Sequence, residues 1–358
     1  MTENVSRQVL WPNDPNILVR VAILHVGQGS SAVVFVASGE SYNVLLVDIN
    51  LDSTCGGIDV PRMMKDLLDG QELYAFVNTH PHDDHIKGIK ELSEAVTIKR
   101  VWHSGHIPSK KYGSRYEDLK AVIDKVKKAS GDAAERVLAG SRGSEVLGDA
   151  QCHILAPAEY VTEEVNEEEA DQRRARIHEQ CACIKFGKEW TWAIIPGDAD
   201  HVAFSEHIMY HKTRLGSALL AASHHGSRTF FRATEDDDPY TDHLDAIEPK
   251  YVVISAPTRD ESRHDHPHED AVELYVEKVG EENVVHTGKD RYSFIFDIFR
   301  DDTHGELHHD EAKLSKHYGL ECDDGDRGGG GGGGGGGGTS GGFTPRSKPT
   351  TIGGTRFG

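Results

Sequence analysis

Leu73-Tyr74-Ala75-Phe76-Val77-Asn78-Thr79-His80-Pro81-His82-Asp83-Asp84-His85-Ile86 is the stretch that decides how this chain folds. Leu73–Asn78 has the apolar, β-rich character of a buried strand. It runs straight into an H-x-H-x-D-H pattern, and a helix is predicted from Ile86 to Ala95. Three imidazoles and a carboxylate within six residues form a dense set of nitrogen and oxygen donors suited to zinc or manganese. A solvated polar loop would explain the polarity. It would not explain why potential ligands follow a buried strand so closely, or why they open a helix whose packing fixes the loop's shape.

Other strand ends carry the same chemistry. Ile194-Ile195-Pro196-Gly197-Asp198 is an apolar run ending in a carboxylate, which can bridge two cations with its two oxygens. His178 lies twenty residues upstream. Ala221-Ala222-Ser223-His224-His225-Gly226-Ser227 is another strand that ends in histidine. Each signal is weak alone, since Asp after Gly is a common turn residue. Together they make a site if their strands end at one edge.

The rest of the body alternates strands and helices. Strands are predicted at Ile17–Val26, Ala32–Val36, Asn43–Val47, Thr97–His103, Ala218–Ala222, Tyr251–Ser255 and Tyr292–Phe299, with a hairpin Ala182–Phe186/Trp190–Ile195. Helices are predicted at Pro61–Asp69, Tyr116–Ser130, Ala203–His211 and Glu269–Val279. Glu163–Arg176 reads as a solvated helix or loop. This order implies an α/β protein with two sheets face to face and helices outside.

Composition bounds the function. Of 358 residues, 59 are acidic and 39 are Lys or Arg, a net charge of −20, which argues against coating DNA or an anionic membrane by bulk electrostatics. No apolar run approaches a membrane span, and the N-terminus lacks a signal-peptide core, so the expectation is a cytoplasmic protein with no membrane partner. The five cysteines (Cys55, Cys152, Cys181, Cys183, Cys322) form no CxxC pair and read as reduced thiols. Residues 323–358 hold 17 of the 38 glycines, so this tail is expected to be disordered, a tether or a handle for a protein partner. The resulting division is an N-terminal extension (1–16), a main domain (17–300), a His-rich extension (301–322) carrying His304, His308 and His309 on a solvated helix, and the tail.

Read in order, His25-Val26-Gly27-Gln28-Gly29, Leu45-Leu46-Val47-Asp48, the H-x-H-x-D-H loop, Gly197-Asp198, Ser223-His224-His225-Gly226-Ser227 and Asp265-His266-Pro267-His268 resemble the metallo-β-lactamase-fold hydrolases. Within them the chain is most similar to the hydrolase domain of the DNA-uptake competence proteins (ComEC-type). The resemblance implies a four-layer αββα sandwich with a dinuclear site. It places His80, His82 and His178 on the first ion, Asp84, His85 and His224 on the second, and Asp198 between them, with Asp48 orienting a ligand. Where relatives usually have Asp after the second glycine of the first motif, Ser30 stands here. Flavodiiron relatives have a carboxylate at the place of His82, so this histidine points to non-redox hydrolysis.

Two cations sharing a carboxylate acidify a water enough to supply hydroxide at neutral pH. The expected cofactors are therefore two divalent metal ions, zinc or manganese. The expected activity is phosphodiester hydrolysis, with DNA as the leading substrate. Asp84, His225 and His266 are the catalytic candidates, the two histidines for leaving-group protonation or phosphate contact. Arg228 is a candidate phosphate clamp, and Lys110, Lys111, Arg115 and Lys125–Lys128 a candidate guide for a nucleic-acid strand. Hydrolysis of a small phosphodiester, such as a cyclic nucleotide or phosphocholine ester, is the second reading. A non-catalytic interaction module docking through the tail is the third.

Overall fold

The computed structural model describes residues 4–53, 56–109, 115–141, 143–301 and 305–321, all within one compact unit, Met1–Asp323. The glycine-rich tail 323–358, Cys55, Lys110, Lys111, His304 and Cys322 lie outside the described residues.

Strands β1 (Ile17–Ile23), β2 (Ala32–Ser38), β3 (Ser41–Val47), β4 (Ala75–Asn78), β5 (Val101–His103) and β6 (Glu135–Val137) build most of the first sheet. The chain then lays down β7 (Glu145–Leu147), β8 (Ala150–Ala156), β9 (Cys183–Lys188), β10 (Thr191–Ile195), β11 (Leu219–Ala221), β12 (Tyr251–Ile254) and β13 (Val284–His286) as the second sheet. It returns to the first with β14 (Phe294–Phe299) and β15 (Gly305–His309). The strand orders are β15-β14-β1-β2-β3-β4-β5-β6 and β13-β12-β11-β10-β9-β8-β7.

Period-two alternation sends successive side chains to opposite faces and so makes four layers. In β3, Leu45 and Val47 enter the core between the sheets, with Ile184, Phe186, Ala193 and Ile195 opposite. Val44 and Leu46 face outward, under helices at Val60–Leu68, Ile89–Ala95 and Tyr116–Ser130 through Met63, Leu67, Leu92 and Leu119. On the far side Ile194, Leu220, Val252 and Ile254 pack against Phe204, Ile208, Leu244, Ala271 and Tyr275. The αββα sandwich expected from the resemblance is the architecture observed.

Strands β3–β6 run parallel, as do β10–β13. Parallel strands end together, and ligands of open α/β sheets gather at those carboxyl ends. Asp48 follows β3, Thr79–His85 follow β4, Asp198 follows β10, His224 and His225 follow β11, and Ser255 follows β12.

One expectation is corrected, and a core strand was not foreseen. The His-rich stretch is, over its described residues, no solvated helix: Gly305–His309 pairs along β14 as an edge strand, and the helix Lys313–Tyr318 follows. Tyr318 then reaches Asp66 (3.1 Å) and the backbone N–H of Ser6 (3.4 Å), joining both ends of the unit. Glu163–Arg176 is the mostly exposed helical segment expected, carried by helices Glu159–Glu167 and Ala170–Ala175, with Val165 as its one buried residue. Strand β8 is absent from the sequence reading, although Cys152 and Ile154 alternate into the inter-sheet core. Its polar Gln151 and His153 mask the pattern.

Candidate metal centre

The site is built from Asp48 outward. This buried carboxylate accepts from Thr79 N–H (2.7 Å), Thr79 Oγ1 (2.6 Å) and Asn78 Nδ2 (3.2 Å), which ties the end of β3 to the end of β4. It also takes the Nδ1–H of His85 at 2.8 Å. That bond fixes the tautomer and turns the Nε2 lone pair of His85 inward, as expected of a residue that orients a ligand.

His225 is set in the same way. Its Nδ1 donates to the carbonyl of Ser255 (3.0 Å), leaving Nε2 as an acceptor. The two Nε2 atoms stand 3.3 Å apart. Asp84 Oδ2 is 3.2 Å from His225 Nε2, and Asp198 Oδ1 is 3.1 Å from His85 Nε2 and 3.6 Å from His225 Nε2. With both imidazoles neutral, four acceptors therefore converge with no proton of their own to share.

The other oxygen of Asp198 faces a second set. Oδ2 lies 3.5 Å from His80 Nε2, and the His82 and His178 rings complete the group, 5.2 Å apart. Potential ligand atoms of His80, His82, His178 and Asp198 lie within 4.8 Å of one another, as do those of Asp84, His85 and His225. Asp198 thus stands between two sets of donors. Gly197 permits this: at φ +58° it occupies the left-handed region, and a Cβ there would come within 2.7 Å of Thr79.

The resemblance assigned His224 to the second set, but the geometry puts His225 there. His224 and His225 are both left-handed, at φ +48° and +57°. Each costs about 1–2 kcal/mol relative to the right-handed helix. Two such steps in succession aim the rings apart. His225 goes to Asp84. His224 goes to His178, 4.4 Å between centroids, with its Nε2 3.6 Å from Asp198 Oδ2 and its Nδ1 2.8 Å from Thr229 Oγ1. Sequence spacing cannot choose between adjacent histidines, because the choice depends on these dihedrals. His266 sits 5.0 Å from the His224 ring and 6.1 Å from that of His225, lining the cleft without joining either set.

The electrostatics fit cations. Burial would lower His85, but Asp198, Asp48 and Asp84 outweigh it and raise its pKa well above the ordinary value. His225 is raised similarly by Asp198 and Asp84. Burial would raise Asp198 and Asp84, but the surrounding imidazoles, His85 first, hold both low. At two other histidines burial outweighs the pull of Asp198: His178 falls to about 4 and His266 to about 3. Protons on His85 and His225 would fill the place of positive charge among carboxylates. His178 Nε2 is buried without a hydrogen-bond partner, and the 3.1 Å approach of His85 leaves Asp198 Oδ1 without a well-formed one. Buried polar atoms are rarely left unmatched, and an imidazole–carboxylate set of this kind fits divalent ions.

Above this floor opens a cleft of about 730 Å³. Gln28, Lys87, Arg115, Arg174 and Arg263 line it, as does His106, which the sequence reading did not single out. Other candidates lie elsewhere. Arg228 turns to Glu235 (3.0 Å) and Asp270 (3.2 Å). Lys125 donates to the carbonyl of Ser93, and Lys127 pairs with Glu135, so among the described residues of the proposed strand guide only Arg115 is a cleft residue. His268 precedes the helix Glu269–Val279 and accepts from Arg228 N–H at 3.1 Å. Cys152, Cys181 and Cys183 are buried core residues.

The chain matches no protein-family model and no curated protein. Among solved structures it is similar to CmlA, a diiron β-hydroxylase from Streptomyces venezuelae (14% identity, 74% of this chain and 52% of that one, TM-score 0.43). It is also similar to Zn²⁺-bound PqqB from Methylobacterium extorquens (10% identity, 75% and 97%, TM-score 0.41). A third is an archaeal metallo-β-lactamase superfamily protein from Sulfolobus tokodaii (14% identity, 50% and 62%, TM-score 0.27). The chain spans about half the length of CmlA. Likeness at this level says nothing of chemistry, and the fold assignment stands on the strand order and layering.

Proposed function

We propose that this chain is a metal-dependent hydrolase of phosphodiesters. The observation that carries it is the facing pair of imidazole acceptors, His85 and His225, each with its Nδ1 committed elsewhere and each within 3.6 Å of the Asp198 carboxylate. His80, His82 and His178 would hold one divalent ion and Asp84, His85 and His225 the other, with Asp198 shared. Bound there, such ions supply Lewis acidity and an acidified water. His225 belongs to this ligand set, so it is not the residue that protonates a leaving group. His266, kept neutral by burial, is a hydrogen-bond partner for substrate.

Lys87 and Arg115 on the cleft wall pair with Asp52 (3.3 Å) and Asp83 (3.5 Å). The Arg115 pair is exposed and the Lys87 pair half-buried, and single pairs with this much solvent contact are weak, so an entering phosphodiester can displace the carboxylates. DNA is the substrate the resemblance implies, whereas the cleft's volume suits a nucleotide-sized ester equally. The test is elemental analysis of the purified protein, followed by assays with manganese or zinc on single-stranded DNA and on bis(4-nitrophenyl) phosphate. The expectation is bound metal and ester cleavage, both lost in His82→Ala and Asp84→Ala. Cleavage of the small ester with intact DNA would remove the nuclease reading. No metal and no cleavage would remove both.

A further inference from the structure

We propose that His106 contacts the substrate, accepting a hydrogen bond from a hydroxyl or N–H group carried beside the scissile phosphodiester. This rests on the phosphodiesterase reading and adds a specificity determinant to it. His106 follows β5, one strand over from the H-x-H-x-D-H loop, and so reaches the same edge of the sheet. It lines the cleft, yet only 2% of its surface is exposed.

Its orientation is determined by partners. Gln180, fully buried, donates from Nε2 to the carbonyl of Thr162 (3.3 Å). That turns Gln180 Oε1 toward His106, where it takes the Nδ1–H at 2.5 Å. The ring is therefore the Nδ1–H tautomer, and Nε2 is the acceptor it offers from the cleft wall. Burial holds its pKa down to about 4, so at neutral pH this acceptor suits a donor on the substrate and not a phosphoryl oxygen.

The backbone around it is clamped on both sides. Asn166 donates from Nδ2 to the carbonyl of Gly105 (2.8 Å) and accepts from Ile107 N–H (2.9 Å). Arg173 donates to the carbonyl of Ile107 (2.9 Å). Gly105, at φ +81°, lets the loop press against the same support: a Cβ would meet Val137 at 2.7 Å and Thr162 at 3.0 Å. The segment 159–180 thus holds one imidazole rigidly at the cleft, and preorganisation of this kind is what a recognition contact needs.

Thymidine 5′-(4-nitrophenyl phosphate) carries hydroxyl and N–H donors, whereas ethyl 4-nitrophenyl phosphate shares its leaving group and has none. The assay reads the ratio of kcat/KM for the two. His106→Phe is expected to lower that ratio about tenfold or more, with metal content equal to that of the unaltered protein. Asn166→Ala, which loosens the loop from outside the cleft, is expected to lower it in the same direction. A ratio within threefold of the original in both variants would overturn the proposal, as would loss of metal in His106→Phe. Calorimetric titration of the metal-loaded protein with thymidine 5′-phosphate reads the same contact if neither ester is cleaved. There a weakening of about tenfold in His106→Phe supports it, and equal affinity overturns it. Failure to cleave either ester, with that weakening present, would count against the phosphodiesterase reading alone.

Discussion

Asp48→Asn changes one atom and inverts the site's hydrogen-bond polarity. The carboxylate accepts four hydrogen bonds, of which those from Thr79 N–H and Asn78 Nδ2 end on Oδ1. An asparagine must keep its oxygen there, because a second donor facing two donors would clash electrostatically. Its NH₂ then faces Thr79 Oγ1, which can accept, and His85 Nδ1, which must lose its proton to do so. The imidazole adopts the other tautomer and points an Nε2–H toward Asp84, Asp198 and His225. Loss of such an orienting partner typically weakens metal affinity about 10–100-fold, or roughly 1.4–2.8 kcal/mol. His80, His82 and His178 do not depend on Asp48 for their tautomers in this way. Titration with zinc against a competing chelator should therefore show one equivalent binding nearly as before and the second weakened. Two equivalents at undiminished affinity in Asp48→Asn would refute the tautomer argument.

His225→Ala should lose one metal equivalent while His224→Ala retains both, as measured by elemental analysis after dialysis. The reverse pattern would restore the assignment that the resemblance implied. Asp297→Ala should destabilise the fold by about 3–5 kcal/mol in urea denaturation, since Arg20, buried between β1 and β14, would lose both carboxylate contacts at 2.6 and 2.7 Å. His243 is buried among Phe204, Phe230 and Phe231, and burial depresses its pKa to about 3. The unfolded chain takes up this proton near pH 6.5 and the folded chain only near 3. Stability from this residue is thus complete above pH 6.5 and declines as pH falls toward 3. Between pH 7 and pH 5 the loss is about 2 kcal/mol, and His243→Phe should remove that share of the pH dependence. An unchanged slope would refute it.

Adjacent elements show what could be read without coordinates and what could not. The loop at His80–His85 was legible because its donors are contiguous and follow an apolar strand. The pairing of Asp198 with it was legible as chemistry only, since two residues more than a hundred positions apart meet solely through the sheets. His106 carries no motif. Its signal, a histidine just past a strand, was available at the end of β5, but its role depends on Gln180 and on Asn166, neither of which carries a motif and the second of which lies in the stretch read as a solvated helix or loop.

The sequence by itself determined the layers, because an uninterrupted apolar run such as Val44–Val47 in β3 sends apolar side chains to both faces and requires cover on each. It also determined the donor chemistry, because imidazoles and carboxylates crowded at strand ends have few other uses. Only the tertiary structure decided which of two neighbouring histidines joins Asp84, and that His106 faces the cleft. Both depend on backbone dihedrals and on partners remote in the chain, and these exist only once the two sheets have packed.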